Sequence, residues 1–280
     1  MQKTIHYRGQ DIRYVLLQPT RPSNSGSDRA DLTLMLVHGF PERGGIFQEQ
    51  LDALSAYYTL LVPDLPGSGG SPYNPVLEST ADFADSLAAI IKEEQIDKLV
   101  IIGHSMGGYI ALAFAERYPE IILGLGLLHS TAYADSEQKK VNRIKAIHTM
   151  EQYGGAAFLK TMIPTLFGPV FKSAHPQVIQ ELIEAGSHFE TRTLQQYYQM
   201  MHDRTDKTAL LMHLSIPFLF ISGTEDKAAP AIDLIRQSSL PQTAMIEILE
   251  QAGHMGFLEC PGQVNKILTH FLQLVQNVSI

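Results

Sequence analysis

Along the first third of the chain, short apolar runs alternate with stretches of helical period. Residues 11–18 (DIRYVLLQ) alternate as a half-buried strand does, and they pair with residues 5–8 across Gly9-Gln10. Residues 32–37, 59–62, 98–102 and 122–128 are near-continuous apolar runs, short enough to be strands covered on both faces. Between them lie helical stretches: 47–56 with Phe47, Leu51 and Leu54, then 80–94 with Phe83, Leu87, Ile90 and Ile91 on one side. A third helix, 106–118, is ended by Pro119. Strand patterns resume at 217–222 and 244–249, each followed by a helical stretch. Residues 19–31, rich in Pro, Ser, Asn, Gly and charge, read as a loop. Strands alternating with helices predict an α/β fold with a mostly parallel, doubly wound sheet.

The rhythm breaks over residues 134–214, which hold helical patches at 141–148 and 178–185 and no β-rich run. Aromatic and methionine side chains are dense there, Phe158, Phe167, Tyr197, Tyr198 and Met200 among them. Because strands return at Pro217, this segment reads as an α-helical cap inserted into a core of residues 1–133 and 215–280. Such an insertion packs on the sheet edge where open α/β folds bind ligands.

Composition narrows the classes. The chain has 280 residues, 45% of them hydrophobic and 18% charged, which suits a globular protein able to bury a large core without staples. The single cysteine, Cys260, excludes an intramolecular disulfide and a Cys-rich zinc site. A formal charge of −8 without a basic run argues against nucleic acid as a partner. The N-terminal residues lack the apolar core of a signal peptide, and no apolar stretch approaches the ~20 residues of a membrane span. A soluble, cytoplasmic protein is expected; the oligomeric state is not readable.

The sharpest chemical signal is Gly103-His104-Ser105-Met106-Gly107, set directly between a strand and a helix. A serine at so tight a turn takes a strained backbone, and its neighbours two before and two after must lack side chains. The turn lifts the hydroxyl clear, and the helix N-terminus places amide dipoles beneath it. Ser105 is therefore the candidate nucleophile. It needs a base, and the base needs an orienting acid. Of eleven histidines, His254 lies on the loop just past the strand at 244–249, at the sheet end where Ser105 sits. His129 also follows a strand and is its weaker competitor. His104 should point away from its neighbour's hydroxyl and serve packing or local hydrogen bonding. His148, His175, His188, His202 and His213 have no favoured setting. For the acid, Asp226 follows the strand at 217–222, with Glu225 beside it as the alternative; the order Ser105, Asp226, His254 is the one this elbow architecture uses. Asp64 reads as a turn cap. The oxyanion of an attacked carbonyl needs donors, and the backbone N–H groups of Met106 and of Phe40, past Gly39, are the candidates.

Five ordered segments carry a resemblance: HGFP at 38–41, PDLPGSGGS at 63–71, GHSMGG at 103–108, SGTED at 222–226 and AGHMGFLECP at 252–261. Together they make the chain similar to α/β-hydrolase-fold enzymes with a helical cap. The resemblance implies Ser105 as nucleophile, Asp226 as acid, His254 as base, and Phe40 with Met106 as oxyanion donors. The aspartate nucleophile of the family's dehalogenases and epoxide hydrolases is absent, as are the glycine runs that follow His-Gly in some of its lipases and peptidases. Hydrolysis of a small carboxylic ester or related acyl compound through an acyl-serine is expected, with no cofactor and no metal. C–C bond hydrolysis, thioester cleavage and perhydrolase chemistry use similar triads, and a slowly turning-over ligand receptor belongs to another class.

Overall fold

The computed structural model describes residues 1–20 and 32–278, so most of the loop expected at 19–31 lies outside the described residues. β1 (Gln2–Tyr7) and β2 (Gln10–Leu17) form an antiparallel hairpin. Its turn is Arg8-Gly9, one residue before the expected position, with φ of 45° and 84° at the two residues. A turn with both central residues at positive φ matches the right-handed twist of the strands it joins. The chain continues through β3 (Thr33–Val37), α1 (Gln48–Leu54), β4 (Thr59–Pro63), α2 (Thr80–Glu93), β5 (Leu99–His104), α3 (Met106–Arg117) and β6 (Ile122–Leu128). Six helices follow: α4 (Glu137–Tyr153), α5 (Gly155–Met162), α6 (Pro169–Ala174), α7 (Pro176–Ser187), α8 (Thr191–Asp203) and α9 (Thr208–His213). The sheet resumes with β7 (Pro217–Gly223), α10 (Ala231–Gln237) and β8 (Thr243–Leu249), and the chain closes through α11 (Gly256–Glu259) and α12 (Pro261–Val278).

The eight strands form one sheet in the order β1-β2-β4-β3-β5-β6-β7-β8, antiparallel at β1, β2 and β4 and parallel from β4 onward. Every residue of β3, β4, β5 and β7 is buried, as central parallel strands between helical layers require. Helix α2 packs on α3, and α1 on α12. Local signals set the helix starts and stops. Ser79 caps α2 reciprocally with Asp82: the Asp82 N–H donates to Ser79 Oγ, and the Asp82 carboxylate accepts from the Ser79 N–H at 3.0 Å. Helix α3 ends at Arg117, ahead of Pro119. Among the described residues, no helix is long and apolar enough to cross a membrane.

Close backbone approach at the start of α3 dictates its glycines. A Cβ at Gly103 would meet the Gly107 backbone at 2.3 Å, and one at Gly107 would meet the Val37 carbonyl at 2.2 Å. Neither neighbour is a flexible side-chain end, so β3, β5 and α3 would have to separate. Gly262, in the first turn of α12, has nothing within 4 Å of its Cβ position. Gly107→Ala is expected to lower the unfolding free energy by about 1–3 kcal/mol, while Gly262→Ala leaves it unchanged or raises it by up to about 1 kcal/mol. Chemical denaturation of the two variants checks both signs.

Candidate active site

The strand order reverses beside β3: the chain goes outward to β4 and returns to β5 on the other flank. Loops leaving β3 and β5 therefore open a crevice at the C-terminal ends of the strands, the place where open α/β sheets bind ligands. The β3 loop carries Gly39 and Phe40, and the β5 turn carries Ser105.

Ser105 takes φ 50° and ψ −116°, a region L-residues avoid, between the last residue of β5 and the first of α3. Its backbone is pinned: the N–H donates to Leu128 O at 3.0 Å, and the carbonyl accepts from Ser130 Oγ at 2.8 Å and Gly108 N at 2.9 Å. The residue stays partly accessible. Among the described residues, no hydrogen bond occupies Ser105 Oγ, the Phe40 N–H or the Met106 N–H. Phe40 and Met106, whose N–H groups were singled out in the sequence, follow β3 and β5 on the two loops that border the crevice.

Asp226 and His254 meet directly. His254 Nδ1 lies 3.0 Å from Asp226 Oδ1 and 2.9 Å from Oδ2. Asp226 Oδ1 also accepts from the N–H groups of Ala228 and Ala229, each at 2.9 Å. Burial works against its charge, but His254 and His129 outweigh it and hold the carboxyl far below the usual carboxylate range. Glu225, the alternative acid, is exposed.

His129, the weaker competitor for the base, also reaches Asp226, with Nδ1 2.9 Å from Oδ2. Its setting differs from that of His254. The ring is fully buried, its Nε2 has no partner, and a Cβ at Gly256 would lie 2.4 Å from that nitrogen. Burial pushes its pKa down to about 4, so at neutral pH it is uncharged and donates Nδ1–H to the carboxylate. One carboxylate therefore serves two imidazoles.

His104 points away from the Ser105 hydroxyl, as expected, and into a buried cluster. Nδ1 contacts Glu42 at 2.9 Å to Oε1 and 3.0 Å to Oε2, while Nε2 lies 3.0 Å from the His254 carbonyl. Both ring nitrogens face acceptors, so both carry protons. Burial alone would lower the pKa of His104, but the Glu42 carboxylate and the His254 carbonyl raise it above the ordinary value. Glu42 is held low despite its own burial, chiefly by His104. Its Oε2 also accepts the Gly39 N–H at 2.8 Å. One ion pair thus fastens the β3 loop, the β5 turn and the His254 loop to one another. Nothing in the periodicity marks Glu42 for this role, because its partners are 62 residues away in His104 and, through that ring, a further 150 residues on in His254.

The remaining candidates fall into structural roles. His38 is neutral, its pKa lowered by burial; Nδ1–H donates to Gly39 O at 2.8 Å, and Nε2 accepts from the Leu65 N–H at 3.0 Å. Asp64 caps its turn by accepting from Gly44 N and Gly70 N, and it pairs with Arg13. Burial pushes the Cys260 thiol up, so it is no thiolate nucleophile at neutral pH.

Residues from the helical insertion reach this crevice. The His254 N–H donates to Leu166 O at 2.6 Å, and Glu259 accepts from both Gly253 N and Gly168 N at 2.9 Å. The Phe40 ring packs edge-on against Tyr198, with centroids 4.7 Å apart. A cavity of about 340 Å³ is lined by Pro41 and Met255, the chain neighbours of Phe40 and His254, and by the insertion's Leu166, Phe167, Leu182 and Phe189. Its walls are largely apolar.

Removing the charge of Glu42 tests the buried pair. His104, with its pKa raised, contributes stability that is full below its ordinary 6.5 and lost as pH rises through the folded value. Glu42, with its pKa lowered, contributes stability that is full above its ordinary 4.5 and lost as pH falls through the folded value. Glu42→Gln should therefore cost about 3–5 kcal/mol, and the difference from the parent protein should be largest between pH 4.5 and 6.5. Denaturant titrations across the pH range read this; a pH-independent difference contradicts the ion pair.

Comparison with known proteins places this geometry in a lineage. The profile of the alpha/beta hydrolase family matches residues 34–267. The human protein ABHD8 is 26% identical over 253 residues, covering 87% of this chain and 56% of ABHD8, so the chain spans little more than half of that relative. A putative carbamate hydrolase, RutD, from Pantoea ananatis is 27% identical over 255 residues, covering 89% of this chain and 91% of RutD. Among solved structures, a thermophilic esterase from Thermogutta terrifontis superposes with a TM-score of 0.89 at 27% identity, covering 99% of each chain. The match to the family profile runs from β3 into α12 and takes in every crevice residue described above, so this chain belongs to the alpha/beta hydrolase family.

Proposed function

We propose that the chain is a serine hydrolase that cleaves a small carboxylic ester or related acyl compound through an acyl-Ser105 intermediate. The observation that carries this reading is the buried Asp226–His254 pair, set on the same sheet end as a serine held at positive φ. Esterase and hydrolase names among the relatives agree with it. In this reading residues 134–214 act as a cap on a core of 1–133 and 215–280, and the apolar cavity beside Pro41 and Met255 receives part of the substrate.

Ser105 Oγ attacks the acyl carbon, and His254 Nε2 takes its proton as the carbon–oxygen bond forms. Asp226, ionised at all working pH values, accepts the Nδ1–H and stabilises the imidazolium. The Phe40 and Met106 N–H groups receive the oxyanion. His254 then delivers the proton to the leaving alkoxide, activates a water, and the acyl-enzyme is hydrolysed. The serine–histidine hydrogen bond is to be closed by substrate, since such bonds are often long in unliganded sites. His254 serves as base rather than His129, whose second nitrogen is packed against Gly256.

Ser105→Ala should reduce hydrolysis of p-nitrophenyl butyrate by about 10³-fold or more, and a fluorophosphonate should label Ser105 in the parent protein, as mapped by mass spectrometry. Undiminished turnover in the variant excludes the mechanism. Asp226→Asn should lower kcat by about 10⁴-fold, measured with the same ester.

A further inference from the structure

Helix α4 of the insertion turns Arg143 inward, on the face that also carries buried Met150. Its Nε donates to Asp135 Oδ2 at 2.5 Å, and Asp135 Oδ1 lies 2.7 Å from Nη2 of Arg204. Two guanidiniums thus share one carboxylate, leaving the cluster a net positive charge. The arginines differ in what they expose. Arg204, with a side chain 4% exposed, donates to Met201 O and lies 3.9 Å over the Tyr109 ring. Arg143 keeps 17% of its side chain accessible although it lies deep in the protein, and among the described residues neither of its Nη groups has a hydrogen-bond partner. Its Cζ sits 5.1 Å from the centroid of Tyr198, the ring that packs on Phe40. Tyr109 lies one helical turn past Ser105 on α3. The uncompensated charge is therefore anchored between the oxyanion loop and the helix of the nucleophile.

A guanidinium held by one edge, with its remaining donors free in a water-poor, aromatic setting, is suited to a carboxylate. Building on the serine-hydrolase reading, we propose that Arg143 is a substrate-binding residue that selects esters carrying a second, anionic group: half-esters of short dicarboxylic acids, whose free carboxylate pairs with the open Nη groups while the ester lies at Ser105. Tyr198 spaces the two ends. The reaction adds water across the acyl–oxygen bond, releasing the alcohol and a dicarboxylate.

The test compares monomethyl glutarate with neutral dimethyl glutarate in a pH-stat assay. Arg143→Gln should lower the half-ester to diester ratio of kcat/KM by about 10- to 100-fold, the worth of a charge-assisted hydrogen bond, mostly through KM. The substitution leaves Arg204 and Asp135 as a balanced pair, and Arg143→Lys, which keeps the charge, should recover part of the ratio. In the parent protein, KM for the half-ester should rise with added salt while that for the diester does not. A ratio changed less than threefold, or equal salt responses, overturns the proposal. Binding of monomethyl glutarate to the Ser105→Ala protein, followed by calorimetry, separates the two readings. Arg143-dependent binding with hydrolysis undiminished by Ser105→Ala sinks the nucleophile and keeps the anion site; loss of hydrolysis with binding indifferent to Arg143 does the reverse.

Discussion

Moving the charges of Glu42 and His104 out of water is costly, and it is tolerated only because partners from three loops converge on the pair. The carboxylate holds the Gly39 N–H, the imidazolium holds the His254 carbonyl, and the two charges hold each other. Any loop that drifts leaves a charge or a carbonyl unpaired in a medium of low dielectric. That penalty makes the arrangement stiff, and stiffness is what a strained residue needs. Ser105 keeps its positive φ because the glycine contacts at β3 and α3, together with this pair, leave it no relaxed alternative.

The second half of the crevice follows from strand order. His129, Asp226 and His254 come from the ends of β6, β7 and β8, which are neighbours in the sheet. Three parallel strands ending together bring three consecutive loops side by side, and Asp226 sits in the middle of them. A carboxylate fixed by two imidazoles and two backbone N–H groups has little freedom to rotate. The two histidines differ in setting: His129 is sealed, uncharged and without a partner at Nε2, while His254 lies on a loop whose backbone is tied to the insertion.

The insertion is tied directly to the crevice. Its backbone at Leu166 and Gly168 is joined to the His254 loop, and its Tyr198 leans on Phe40, so movement of these helices is coupled to both sides of the crevice. The fold is shared by proteins of many activities, and chemistry resides in the grafted site. Specificity in this chain is therefore sought in the insertion's apolar lining and in the open Nη groups of Arg143.

How much of this was legible in the sequence depended on range. Apolar runs such as TLMLV and LVIIG determined the buried parallel strands, because a strand covered on both faces has no polar positions to spare. The Gly-x-Ser-x-Gly spacing determined the elbow, because only glycine fits where β5, α3 and β3 touch. The strand-end positions of Asp226 and His254 were readable for the same local reason. Tertiary structure alone decided that Glu42 pairs with His104, that His129 shares Asp226, and that Arg143 outnumbers its carboxylate together with Arg204. Apart from Arg143 with Asp135, eight residues apart, each of these is an electrostatic contact between residues distant in the chain. Such contacts have no period, and their strength comes from burial, which exists only once the chain has folded.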